Sequence, residues 1–214
     1  MRVPVLVVVI LLGAAAPASA GKVCLQPLGP HDAPLLPIVA RGIDHVFGMS
    51  TTVLPPQPLP EVAWYEPRHR WRAEKILDEL AKAPPAECNW VMGFTREDVS
   101  TTVRDREDWG VLGLAYIGGR VAVVSSFRMK RGVPARRVAQ RAVKVVNHEL
   151  GHAFGMDHDD SVAGCIMNDA KGTVRTVDIE SGVPCAHERE TFERLLGVRL
   201  PVLEKIDWAV VIGP

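Results

Sequence analysis

The chain has 214 residues, in which 25 Lys and Arg residues balance 25 Asp and Glu residues. This length suits one compact domain with a sizeable core. The charges form no long block of one sign, which argues against nucleic acid or an anionic membrane surface as the main partner, because both require a concentrated basic face. We expect a monomer.

The first twenty residues have the pattern of a secretory signal peptide. Arg2 provides a positive start, residues 3–12 are almost wholly apolar, and residues 18–20 (Ala-Ser-Ala) form a small-x-small cleavage pattern. The apolar run is too short to span a bilayer comfortably. The alternative is a buried N-terminal helix of the fold. We expect removal of residues 1–20, a mature chain that begins at Gly21 with no membrane attachment, and a secreted or periplasmic location.

The mature part contains four cysteines: Cys24, Cys88, Cys165 and Cys185. An even number of cysteines in an exported chain indicates two disulfides, and four buried thiols are the alternative. The sequence alone allows three pairings.

The first half of the mature chain alternates apolar strands and amphipathic helices. Its patterns predict, in chain order, a strand at 23–28, a helix that Asp32 caps and Gly48 ends, strands at 51–54 and 61–65, and a helix at 71–83.

The second half contains the clearest hairpin and the longest helix. The patterns predict a strand at 88–94, a charged loop at 95–108, a hairpin of 111–117 and 120–126, and a long helix from Pro134 to about Phe154. After Gly155 the regular pattern disappears until a last helix begins at Glu188. This order predicts an α/β fold, with a mixed sheet and helices packed on it.

Residues 146–158 read VNHELGHAFGMDH and contain three histidines at metal-ligand spacing. His148 and His152 are four residues apart on the predicted helix, so both imidazoles project from the same face and can bind one ion. Zinc binds neutral imidazole well, and three protein ligands leave a fourth position for water. Gly155 can adopt a positive φ at low cost, which turns the chain off the helix and returns His158 to the same ion.

Glu149 lies beside the first histidine and is not needed as a ligand. It is placed to take a proton from metal-activated water and to pass it to the leaving amine. The HExxH pattern arises by chance in roughly one such chain per hundred or two, and with Gly155 and His158 at fixed offsets in about one per hundred thousand. This disfavours the alternative of an amphipathic helix with surface histidines. The motif predicts a peptidase with one catalytic Zn²⁺ and a peptide or protein substrate.

The motif and the GCIM sequence at 164–167 resemble the metzincin clan of zinc peptidases. In that clan a methionine turn lies beneath the metal, and the resemblance assigns this position to Met167. The string HELGHAFGMDHDD is similar to the adamalysins, whereas the wider chain resembles the archaemetzincins. Their pattern has a cysteine seventeen intervening residues after the turn methionine, where Cys185 stands. Further segments similar to that family are 27–29, 70–77, 92–98 and 125–128.

The resemblance implies a metzincin-like mixed twisted sheet, an upper part at 21–155 and a small lower subdomain at 156–214. The strand at 111–117 would be the exposed sheet edge, to which a peptide substrate could add as an extended strand. Tyr116 and His187 are candidates for stabilising the oxyanion, although such residues more often pack or are solvated. A non-catalytic zinc-binding or interaction protein on the same scaffold is the alternative function.

Archaemetzincins typically carry four cysteines after the catalytic motif, which bind a second, structural zinc. In this chain Asp159 or Asp160 stands near the first position, and Glu188 stands at the fourth. The second and third positions match Cys165 and Cys185, with Cys165 displaced by one residue. These departures put the structural zinc in doubt, and the resemblance implies a Cys165–Cys185 disulfide instead. The metzincin sheet order would then place Cys24 and Cys88 on neighbouring parallel strands as the second pair.

Overall fold

The computed structural model describes residues 21–213, and the expected signal peptide at 1–20 lies outside the described residues. Within residues 21–213 there are nine strands: β1 Lys22–Pro27, β2 Ser50–Val53, β3 Trp64–Tyr65, β4 Arg70–Arg72, β5 Trp90–Thr95, β6 Val99–Val103, β7 Arg106–Gly110, β8 Gly113–Ala115 and β9 Val121–Ser125. The α-helices are α1 Leu35–Phe47, α2 Ala73–Lys82, α3 Ala135–Phe154, α4 Val174–Ile179, α5 Ala186–Leu196 and α6 Trp208–Val211. No helix within 21–213 has the length and apolar character needed to cross a bilayer.

The main sheet has the strand order β2-β1-β5-β9-β8, and all its neighbours are parallel except β8 and β9. Its central strands are buried on both faces. In β1, Val23 and Leu25 pack into the apolar cluster that contains α1 and α3, whereas Cys24 packs into the cluster that contains α2. A strand covered on both faces reads as a continuous apolar run. The expected α/β fold with a mixed sheet and packed helices is confirmed.

A second sheet, of order β3-β4-β6-β7, covers the region that we expected to be a charged loop at 95–108. That expectation was wrong, because β6 and β7 form an antiparallel hairpin there. The charges of β7 are compatible with a strand because Arg106 and Glu107 are exposed and the largely buried Asp108 accepts a hydrogen bond from Arg70 at 2.9 Å.

Three local expectations differ from the structure. The segment Glu61–Ala63 is a 3₁₀ turn, so the predicted strand at 61–65 is reduced to β3. The short helix α4 lies where no regular pattern was found. Asp32 does not cap α1, because its carboxylate accepts hydrogen bonds from Ser126 Oγ and Lys130 Nζ and thereby ties the chain before α1 to the segment after β9.

The structure contains both expected disulfides. Cys24 is bonded to Cys88 with a Cα–Cα distance of 5.7 Å, which links β1 to the residues before β5. Cys165 is bonded to Cys185 with a Cα–Cα distance of 5.4 Å, which links the segment after α3 to the start of α5. The second bridge therefore lies close to the histidine motif.

Candidate metal centre

The three histidines of the motif converge at the end of α3. His148 and His152 lie one helical turn apart on α3, and Gly155 ends the helix at φ 112° in the left-handed region. The turn returns His158 to the other two rings, and one nitrogen from each of the three histidines lies within 4.8 Å of the others. The structure thus brings together the three residues that the sequence motif singled out.

Backbone carbonyls orient two of the three rings. Nδ1 of His148 donates to the carbonyl of Ile166 at 2.7 Å, and Nδ1 of His152 donates to the carbonyl of Met156 at 2.8 Å. A carbonyl only accepts, so each Nδ1 carries the proton and each Nε2 keeps a free lone pair. Burial, followed by the proximity of His152, lowers the pKa of His148 to about 3. Burial also lowers the pKa of His152, so burial favours the neutral form of both helical rings, which is the form that binds a metal.

The spacing of the ring nitrogens fits zinc. The Nε2 atoms of His152 and His158 are 3.3 Å apart. At a zinc–nitrogen distance of about 2.0–2.1 Å, tetrahedral geometry separates two ligand nitrogens by roughly 3.3–3.4 Å. The set contains three histidines and no further protein ligand among the described residues, so a tetrahedral ion would keep one open position.

Glu149 lies beneath the edge strand β8. Its side chain is 6% exposed, and burial raises its pKa to about 8. A Cβ at Gly113 in β8 would lie 2.6 Å from Oε1 of Glu149, so only glycine leaves room for the carboxylate at this point of the strand. Glu149 therefore sits between the histidine cluster and the exposed edge of the main sheet.

Met167 lies directly under the histidines. Its side chain is fully buried, and its sulfur would be 2.3 Å from a Cβ built at Gly151, which lies between the two helical ligands. Glu188, also fully buried, holds this turn: Oε1 accepts from the Met167 N–H at 3.0 Å and Oε2 from the Cys185 N–H at 2.9 Å. Sequence reasoning missed this role of Glu188. The sequence signal for it is the spacing of a capping box: Glu188 lies three residues after Cys185, the N-cap of α5.

The region of the structural zinc that the sequence put in doubt is occupied by protein contacts. Ligand atoms of Cys165, Cys185 and Glu188 lie within 4.8 Å of one another, but the two sulfurs are bonded to each other and Glu188 accepts backbone hydrogen bonds. His187 pairs with Asp159 at 2.9 Å. A thiolate site cannot form while this disulfide is intact.

The polar atoms of Tyr116 and His187 are engaged by neighbouring carboxylates. The Tyr116 hydroxyl donates to Oδ1 of Asp78 at 2.6 Å, and this hydrogen bond raises the pKa of Tyr116 to about 12. Neither side chain lines the cavity above the histidines. Their suggested role in stabilising an oxyanion therefore has no support from their positions.

A cavity of about 500 Å³ opens over the three histidines and Glu149. Its walls come from β8, from the unpredicted hairpin β6–β7, and from the chain after α3. Side chains of the hairpin that line it are Thr101, Val103 and Trp109. Because β8 is the last strand of the main sheet, its outer side is open along this cavity.

Comparison with known proteins agrees with this geometry. Residues 88–183 match the family described as "Metallo-peptidase family M12B Reprolysin-like". The archaemetzincin of Haloquadratum walsbyi is 30% identical over 169 residues, which cover 75% of this chain and 93% of the relative. The archaemetzincin of Methanopyrus kandleri is 32% identical over 178 residues, which cover 82% and 97% respectively.

Solved archaemetzincin structures have the same fold. The crystal structure from Methanopyrus kandleri superimposes with a TM-score of 0.72 at 30% identity, and covers 86% of this chain and 99% of its own. That from Archaeoglobus fulgidus gives a TM-score of 0.68 at 25% identity and covers 79% and 98%. A histidine-lined cleft below a sheet edge, with these relatives, defines a zinc metallopeptidase of the metzincin clan. The chain belongs to the archaemetzincin family.

Proposed function

We propose that this zinc metallopeptidase cleaves peptide bonds of an extended segment bound along β8, with Glu149 as general base and with His148, His152 and His158 as the ligands of its one zinc. The observation that carries this proposal is the position of Glu149 between the histidine cluster and the open sheet edge. A carboxylate there can reach both a water in the cleft and a peptide bond held along the strand.

The chemistry of each group in the cleft determines its role in the proposed reaction. A bound zinc ion would supply a Lewis acid that polarises the scissile carbonyl and lowers the pKa of water. Glu149 accepts the proton from the attacking water and donates it to the departing amine. The backbone of β8 offers free N–H and C=O groups that can pair with the substrate and hold its scissile bond over the cleft. Met167 and Glu188 keep the floor of the site rigid.

We also propose that the protein works outside the cytosol. The pattern at residues 1–20 and the two disulfides support export, because disulfides persist in oxidising compartments. Mass spectrometry of the exported protein should find a chain that starts at Gly21. Retention of residues 1–20 would contradict the assignment of a cleaved signal peptide.

The function is tested with a peptide library derived from a complex proteome. The zinc-loaded protein should cleave it, a chelator should stop the cleavage, and added zinc should restore it. Glu149→Gln should keep the zinc and lower kcat by several orders of magnitude, since general acid–base catalysis contributes about 10²–10⁴-fold per transfer step. Glu190→Gln, an exposed charge removal on α5, is the control and should retain full activity. Cleavage by Glu149→Gln at near the native rate would contradict the mechanism.

A further inference from the structure

The cavity extends beyond the histidines toward the start of α3. Val145 lines it one turn before Glu149, and at about 1.5 Å of rise per residue it lies roughly 4.5 Å along the helix from His148. The same end of the cavity is lined by Val177 of α4 and by Glu180, the residue that follows α4. Successive residues of an extended peptide are about 3.3 Å apart, so a side chain entering here would belong to a residue flanking the scissile bond.

Glu180 brings an unpartnered carboxylate to this end of the cavity. Its side chain is only 4% exposed, and its Oε1 has no hydrogen-bond partner. Lys144 is the nearest cation, but its ammonium donates to the backbone carbonyls of Val177 and Glu180 and not to the carboxylate. A buried carboxylate oxygen without a partner is costly, so its presence beside a cleft indicates a ligand that supplies the missing donor.

The surroundings favour a cation over a neutral donor. Burial is the main cause that raises the pKa of Glu180, and Glu188 raises it further while Lys144 opposes both, so the ionised carboxylate is stabilised only when another cation comes close. The walls leading to Glu180 are apolar, with Leu112, Val145 and Val177. A long aliphatic stem that ends in a positive charge matches an apolar passage that ends in a carboxylate.

We infer that Glu180 determines substrate specificity and that the cavity accepts the arginine or lysine side chain of a residue flanking the scissile bond. The stem packs on Val145 and Val177, and the cationic group donates to the Glu180 carboxylate. This inference rests on the proposed peptidase function, because it assigns the cavity to a substrate residue. Glu180 itself does not touch the reacting atoms.

The test measures binding, so that it does not depend on turnover. Zinc-loaded Glu149→Gln protein is titrated calorimetrically with five-residue alanine peptides in which one Arg, norleucine or Glu is moved through each position. At one position Arg should bind at least tenfold more tightly than norleucine, with Glu weakest. Adding Glu180→Gln should reduce the Arg advantage to less than threefold, whereas adding Glu190→Gln should leave it unchanged.

The outcomes separate this inference from the proposed function. If no position favours Arg, or if the advantage survives Glu180→Gln, the inference is overturned. The same peptides are then offered to the wild-type protein. Cleavage without an Arg preference would leave the peptidase function standing and remove the role of Glu180. The Arg advantage in binding, with no cleavage of any peptide, would support the pocket and contradict the peptidase function.

Discussion

Replacement of Gly151 by alanine should weaken zinc binding without touching a ligand. A Cβ at this position would lie 2.3 Å from the Met167 sulfur, and ordinary contact begins at 3.4 Å, so the sulfur must retreat by 3.4 − 2.3 = 1.1 Å. Phe192 lies 3.0 Å from the same point and limits where the sulfur can go. Ile166, which precedes Met167, accepts the hydrogen bond that orients His148. The displaced turn should therefore misalign the first ligand.

The expected magnitudes come from these contacts. Overpacking destabilises the folded protein by about 1–3 kcal/mol. The higher helix propensity of alanine stabilises it by about 1 kcal/mol, so the free energy of unfolding should fall by roughly 0–2 kcal/mol. Loss of a partner that orients a ligand typically costs about 10–100-fold in metal affinity.

The matched control is Gly42→Ala. Gly42 is also a buried helical glycine, and a Cβ there would lie 2.5 Å from Val143 Cγ1, away from the metal site. Competition with a zinc indicator should show the affinity loss for Gly151→Ala only, with chemical denaturation showing similar stability changes in both variants. The reasoning is refuted if Gly151→Ala binds zinc as tightly as Gly42→Ala does.

Three further predictions follow from single contacts. Gly113→Ala would place a Cβ 2.6 Å from Glu149 Oε1, so it should lower kcat by at least tenfold with zinc content unchanged; an unaltered kcat would contradict the placement of Glu149. The double variant Cys24→Ala, Cys88→Ala removes a disulfide between cysteines 64 residues apart. Denaturant titrations should show a free energy of unfolding lower by about 4 kcal/mol, with zinc affinity unchanged. Burial raises the pKa of Glu180 from 4.5 to about 8. The folded protein therefore holds this proton more tightly than the unfolded chain, and the resulting contribution to stability is fully present below pH 4.5 and is lost as the pH rises through 8. Between pH 6 and pH 9 the wild-type protein should therefore lose on the order of 2 kcal/mol relative to Glu180→Gln, and a constant difference would contradict the raised pKa.

Much of the fold could be predicted because the relevant signals are local. The apolar runs of β1 and β5 and the long amphipathic pattern of α3 each reflect burial that a short window of sequence records. The hairpin of β6 and β7 was missed because β7 is charged, and charges such as Asp108 are paired with residues distant in sequence, which a short window does not record.

The same distinction applies to the site. The three histidines and Glu149 are recognisable because they share one helix and one turn, so their geometry follows from spacing alone. The backbone carbonyl of Glu180 accepts from Lys144 of α3, and the Glu188 side chain accepts from Met167, so both contacts join residues distant in sequence. No fixed spacing to the histidines marks such residues. A capping-box spacing marks Glu188 in the sequence, but its contact with the methionine turn and the burial of Glu180 could be identified only in the structure.

The most direct test of the central claim is the zinc content of the non-reduced protein, measured by elemental analysis for three chains in parallel. The wild-type protein and Glu149→Gln should each contain one zinc per chain. His152→Ala should contain none, because two remaining ligands rarely hold zinc firmly. Two zincs in the wild-type protein would contradict the single-metal site, and one zinc retained in His152→Ala would contradict the assignment of the three histidines as its ligands.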